Sequence, residues 1–187
     1  MHVESSVGMA HSDGAAVWSF DLDLWGLCAQ GQTVEEAIEA WIERFGASRI
    51  VEEIHGDEQA FGRDREPATD DELETTLCIL RQQRERAISL FEASSPEELD
   101  RDDPARLLPG WARWRTVRQM FWHICDTESR YYLPQLGLPA RERCADLRDE
   151  LTESHEHVVH QLTDMSRTLA VRDRGEVWTS TKLLRRL

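Results

Sequence analysis

Apolar residues recur along this chain with two different periods. Up to about residue 30 they come in short β-prone runs. Residues 2–6 and 16–20 are predicted strands, and a third short strand, 27–30, follows the turn at Trp25-Gly26. Ser12-Asp13-Gly14 supplies the turn between the first two. Gly31 then precedes Thr33, and Glu36 stands three positions on, the pattern of a capping box. The helix it opens carries Ala37, Ala40, Trp41, Phe45 and Ile50 on or near one face, with Gly46 inside it.

Beyond the polar stretch 56–68, which contains Gly62 and Pro67, the period becomes helical. A helix over 70–93, capped by Thr69 or Asp70, aligns Leu73, Leu77, Leu80, Ala87 and Phe91. Residues 94–115, with three prolines, read as a loop. A second helix runs from 116 to 133 and stops at Pro134. A third, over 140–166, aligns Leu147, Leu151, Val158, Leu162 and Met165. After a turn at Arg174-Gly175 and Trp178, Thr179 caps a short last helix that reaches Leu187. The predicted class is α+β: a β-β-β-α module over 1–60, a linker over 61–69 and an antiparallel four-helix bundle over 70–187, its last helix shortened.

Charge divides the chain the same way. Residues 1–66 carry 14 acids against 4 arginines, or −10, and the remainder carries 22 acids against 18 bases, or −4, which sums to the net −14. Neither half is basic, so no nucleic-acid partner is expected. An acidic module suits a basic protein partner. Lys182 is the only lysine, and the arginine bias reads as genome composition. Arg185-Arg186 reads as a helix-terminal pair too small for a nucleic-acid patch. The cysteines Cys28, Cys78, Cys125 and Cys144 are widely spaced without a CxxC pair and read as buried reduced thiols. With no signal sequence and no membrane-spanning apolar run, a cytoplasmic protein is expected, with no membrane partner.

Two stretches resemble known families. Asp21-Leu22-Asp23-Leu24-Trp25-Gly26, followed by Gly31-Gln32-Thr33-Val34-Glu35-Glu36-Ala37, resembles the N-terminal module of HicB-like antitoxins over about residues 1–56, with Trp25 where a proline is usual. Thr116-Val117-Arg118-Gln119-Met120-Phe121-Trp122-His123-Ile124, with Glu128 and Tyr131-Tyr132, and then the segment from Trp178 to Leu187, resemble the DinB-like four-helix superfamily. That resemblance implies a divalent metal, Zn or Ni, held by three histidines, and chemistry on a small-molecule substrate that uses a low-molecular-weight thiol. The histidine of the second helix matches His123. The other two are expected soon after Leu187 and do not occur in these residues, as in a truncated form or a site lost or rebuilt.

A rebuilt site draws on His123, Glu128 and His155. Glu128 shares the apolar face of Val117, Phe121 and Ile124, while His123 lies on its flank. His155 shares the face of Leu151, Val158 and Leu162, whereas His157 and His160 point outward. Imidazole and carboxylate suit such a metal. The competing expectations are a hydrogen-bonded His123, a satisfied core His155, and a Glu128 paired with Arg81 or Arg84. Asp21 and Asp23 read as solvated turn residues, and Trp111, Trp114 and Trp122 as loop or core packing. Two functions remain open: a DinB-like metal-dependent transferase or hydrolase, or a non-enzymatic interaction protein whose module binds a partner and whose short last helix leaves a face for a second copy.

Overall fold

The computed structural model describes residues 1–9, 13–102, 104, 112–173 and 175–187. It is an α+β protein with a small mixed sheet at its N-terminal end and a helical unit beyond it. Strands β1 (His2–Val7), β2 (Gly14–Trp18), β3 (Cys28–Gly31) and β4 (Glu52–His55) lie in the order β3-β2-β1-β4. The first three are antiparallel neighbours, and β4 runs parallel to β1. β4 is an addition to the predicted β-β-β-α module. Its sequence, Glu-Glu-Ile-His, has little strand character of its own, and it pairs because β1 offers an open edge.

Helix α1 (Val34–Phe45) covers one face of the sheet, where Ala37 and Trp41 meet Val3, Val17 and Ala29. Thr33 caps it by accepting from the Glu36 N–H, while the Glu36 carboxylate accepts from Gln32 N–H, so the reciprocal half of the capping box is displaced by one residue. Gly46 ends the helix at φ +85°, a conformation that favours glycine, and Ile50 therefore lies beyond it and exposed.

The other sheet face carries Ala16, Trp18 and Phe61. Phe61 is fully buried, as is Asp64, so the stretch read as a linker is packed into the protein. It contains a single 3-10 turn, Arg63–Arg65.

Helix α2 (Asp70–Ala93) has the predicted bounds and a full capping box between Thr69 and Glu72. The loop after it holds a one-turn helix, α3 (Pro96–Leu99). Helix α4 (Val117–Asp126) widens into a π-helical turn, Thr127–Tyr132, and returns to α geometry as α5 (Leu133–Gln135), passing through Pro134 rather than stopping before it. Helix α6 (Leu147–Asp164) starts seven residues later than predicted, at its Asp146 cap, which accepts from Arg148 N–H at 2.7 Å. A hairpin, β5 (Ala170–Asp173) with β6 (Glu176–Thr179), leads into α7 (Ser180–Arg186), capped by Thr179 as expected. Helix α6 packs against both α2 and α4. Among the described residues no helix is long and apolar enough to cross a membrane.

Two apolar clusters fill the helical unit. One gathers Leu73, Leu80, Leu133, Val158, Leu162, Trp178, Leu183 and Leu184. The other gathers Leu99, Phe121, Cys125, Leu147 and Leu151, with Phe91 against it. Polar residues lie between them.

Candidate functional site

Thr116 opens α4 through a capping box with Gln119, which anchors the start of the helix. Ten residues on, the π-helical turn begins. Such turns insert an extra residue, rotate the following side chains and frequently mark functional positions. Here the Ser129 hydroxyl donates from the turn back to Cys125 O of α4 at 2.6 Å.

Glu128 is directed into the polar layer and forms an ion pair with Arg84 of α2. The other arm of Arg84 donates to Leu151 O at 3.1 Å and Ser154 Oγ at 3.3 Å, and reaches Cys125 Sγ at 3.0 Å. Burial raises the Glu128 carboxyl above its usual range, and Arg84 opposes that shift. One of the two arginines expected for Glu128 is thus its partner. A second buried carboxylate, Glu150 of α6, pairs with Arg130 and with Arg141, the latter at 2.8 Å.

His123 is half-buried. Its ring stacks on Trp114, with centroids 3.5 Å apart and planes 8° from parallel, and Nδ1 lies 3.3 Å from the Thr127 hydroxyl. Burial lowers its pKa, so the imidazole is neutral near pH 7. Its hydrogen-bond partner is a hydroxyl, not the expected carbonyl or carboxylate. His155 is held down to about 4, first by burial and then by Arg84 and Arg81. Among the described residues its buried Nδ1 has no hydrogen-bond partner, against the expectation of a satisfied core histidine. His157 Nε2 lies 2.8 Å from Pro139 O, and His160 is exposed beside Asp164.

Among the described residues no three His, Cys, Asp or Glu side chains stand together as a group able to hold a metal ion. His123, Glu128 and His155 are therefore not assembled into one: Trp114 covers the first, Arg84 neutralises the second, and two arginines set the field at the third. The four thiols are all free, but only Cys125 is fully buried, while Cys78 is exposed and Cys28 and Cys144 are intermediate. Trp122 carries the Arg143 guanidinium 4.1 Å from its ring, and Trp111 lies outside the described residues. Asp21 and Asp23 are exposed, as expected.

The most heavily wired polar region lies elsewhere, where α7 enters the seam between sheet and helices. Lys182 is fully buried. Its amine donates to Glu58 O and to Val177 O, at 3.2 Å for the second, and sits 3.9 Å from the Trp178 ring centre. Burial, with Arg186 nearby, brings its pKa down to about 8. Arg185 grips Asp64 with two hydrogen bonds, 3.0 and 2.7 Å, and Arg186 grips Glu4 at 2.6 and 2.7 Å. Thr181 donates to Glu66 O at 2.7 Å, and Tyr131 of the π turn donates to the Glu58 carboxylate at 2.6 Å. Sequence reasoning passed over this seam. The run Lys182-Leu183-Leu184-Arg185-Arg186 gave no signal of it, because the helical period sets its three cations on one face away from the apolar pair, as in a solvent-facing helix end.

No family model, curated protein or solved structure matches this chain.

Proposed function

We propose that this chain is an interaction protein, in which a DinB-like helical scaffold carries a HicB-like acidic module that binds a basic protein partner. The observation that carries this reading is the exposure of three large apolar residues, Ile42, Ile50 and Val51, the last 68% exposed, within one acidic stretch of the module. Residues 35–53 hold six acids against two arginines, and Glu35, Glu39, Glu43 and Glu53 are exposed. Apolar contacts rimmed by one sign of charge are the composition of a docking surface for a partner of opposite charge. The test is titration of the full chain with a labelled peptide alternating arginine and leucine, against one alternating glutamate and leucine. The expected result is saturable binding of the basic peptide alone, weakening as salt rises and lost in Ile42→Asp with Val51→Asp. Equal affinity for both peptides, or none, overturns the reading.

A second reading keeps the metal-dependent chemistry of the DinB-like superfamily and rests on His123, whose neutral imidazole has the protonation state of a ligand. Elemental mass spectrometry of untagged protein decides it. About one Zn or Ni per chain, lost in His123→Ala, supports this reading, and no stoichiometric metal rejects it.

A further inference from the structure

His2, Trp18 and Cys28 are cross-strand partners in β1, β2 and β3, and so project from one face of the sheet in a single row. This is the face that meets α7. Both arginines of α7 press on the middle residue of the row: the guanidinium carbon of Arg185 lies 4.7 Å from the Trp18 ring centre and that of Arg186 lies 5.4 Å away.

Each guanidinium is only partly used. Arg185 spends Nε and Nη2 on Asp64, and its Nη1 is buried with no acceptor among the described residues. Arg186 spends Nη2 on Glu4 and also hydrogen-bonds Tyr132, and its buried Nε has no acceptor among the described residues. The indole Nε1–H of Trp18 is a third buried donor without an acceptor among the described residues. Trp18 is 4% exposed, Arg185 1%, and the Arg186 side chain 2%. A buried donor left unsatisfied is costly, more so when it is charged, so three around one ring call for an acceptor.

Among the described residues the buried charged groups of the seam are three cations, Lys182, Arg185 and Arg186, and two carboxylates, Glu4 and Asp64, with the Glu58 carboxylate at the margin accepting from Tyr131. The three unpaired N–H groups leave the region with donors in excess of acceptors.

We propose that the three free donors Trp18 Nε1, Arg185 Nη1 and Arg186 Nε border a binding site for one small monovalent anion, such as a halide, nitrate or formate, which fastens α7 to the sheet. Such an ion accepts from several N–H groups at once, and two of the three donors belong to guanidinium cations. The inference is independent of the partner-binding reading, since these side chains are inside the protein and the acidic stretch is on its surface.

The test follows the indole N–H signals of the seven tryptophans by two-dimensional proton–nitrogen NMR. The Trp18 signal is assigned by its loss in Trp18→Phe, and sodium chloride replaces sodium gluconate at constant ionic strength. The expected result is a saturable shift of the Trp18 signal together with a saturable rise in Tm, the rise being absent in Trp18→Phe. Should that variant not fold, Arg185→Lys, which keeps a charge for Asp64 but removes the free arm, is expected to weaken the chloride response at least tenfold. A Trp18 signal indifferent to chloride, or one that moves equally with gluconate, overturns the site.

Discussion

Arg84 of α2 and Glu128 of the π turn form an ion pair between the two apolar clusters of the helical unit, and the same guanidinium also serves Cys125, Leu151 and Ser154. One side chain thereby ties three helical segments at one level. Removing a single partner strands the other charge in an apolar setting, which costs roughly 3–5 kcal/mol, whereas replacing both by apolar groups is often neutral. Arg84→Met is expected to destabilise the protein by an amount of that order, and Arg84→Met with Glu128→Leu to recover most of it. Urea denaturation of the wild type, each single variant and the double variant measures the coupling. Additive losses would contradict the pairing.

Gly31 sits where β3 hands the chain to α1. A Cβ placed there would lie 2.5 Å from the Ala37 backbone nitrogen and 2.6 Å from Glu36 Cβ, so strand and helix would have to separate. Gly31→Ala is expected to cost about 1–3 kcal/mol through overpacking. Gly62→Ala is the control: its φ is −54°, and its new Cβ would meet nothing nearer than the Glu52 carboxylate, at 3.4 Å. Thermal unfolding of the two variants should separate them clearly.

His155 supplies a pH dependence of known sign. Its pKa is about 4 in the folded protein against an ordinary 6.5. Between those values the unfolded chain binds a proton that the folded chain refuses, so stability falls as pH drops from 6.5 toward 4 and this contribution is fully lost below that. In His155→Phe that part of the loss disappears. Denaturation midpoints at pH 7, 5.5 and 4.5 are expected to move in the variant's favour as pH falls. A constant difference between variant and wild type would exclude the effect.

Lys182 acts in the opposite range. Its folded pKa of about 8 lies below the ordinary 10.5, so the unfolded chain holds the extra proton between them and stability rises with pH through that window. Lys182→Met keeps an apolar stem against Trp178 and removes the titration. From pH 7.5 to 9.5 the wild type is expected to gain stability relative to this variant. If the gap does not change with pH, the buried amine does not titrate in this range.

Much of the local structure was legible because its causes are local. Thr33, Thr69 and Thr179 each cap the helix assigned to them, and the bounds of α2 follow from its apolar period and its cap. The inward face of Glu128 was readable from the same period, and its arginine partner was one of two within reach of the sequence. The short polar strand β4 was not readable. It exists because β1 offers backbone donors and acceptors 50 residues earlier in the chain.

The candidate site divides the same way. The side chains of His123, Glu128 and His155 could be assigned to faces of helices, because a helix repeats every few residues. Whether those faces meet depends on how the helices pack, and packing gave Glu128 to Arg84 and His123 to Trp114. Arg185 and Arg186 show the limit most plainly. By sequence they are a charged pair at a helix end, which normally lies in water. Asp64 and Glu4, 121 and 182 residues away, turn them into the buried centre of the protein. Capping and periodicity are encoded in neighbours, so the sequence alone determined the caps at Thr33, Thr69 and Thr179 and the apolar faces of the long helices. The burial of a charge is decided by the partner that compensates it, and only the tertiary structure brings that partner near.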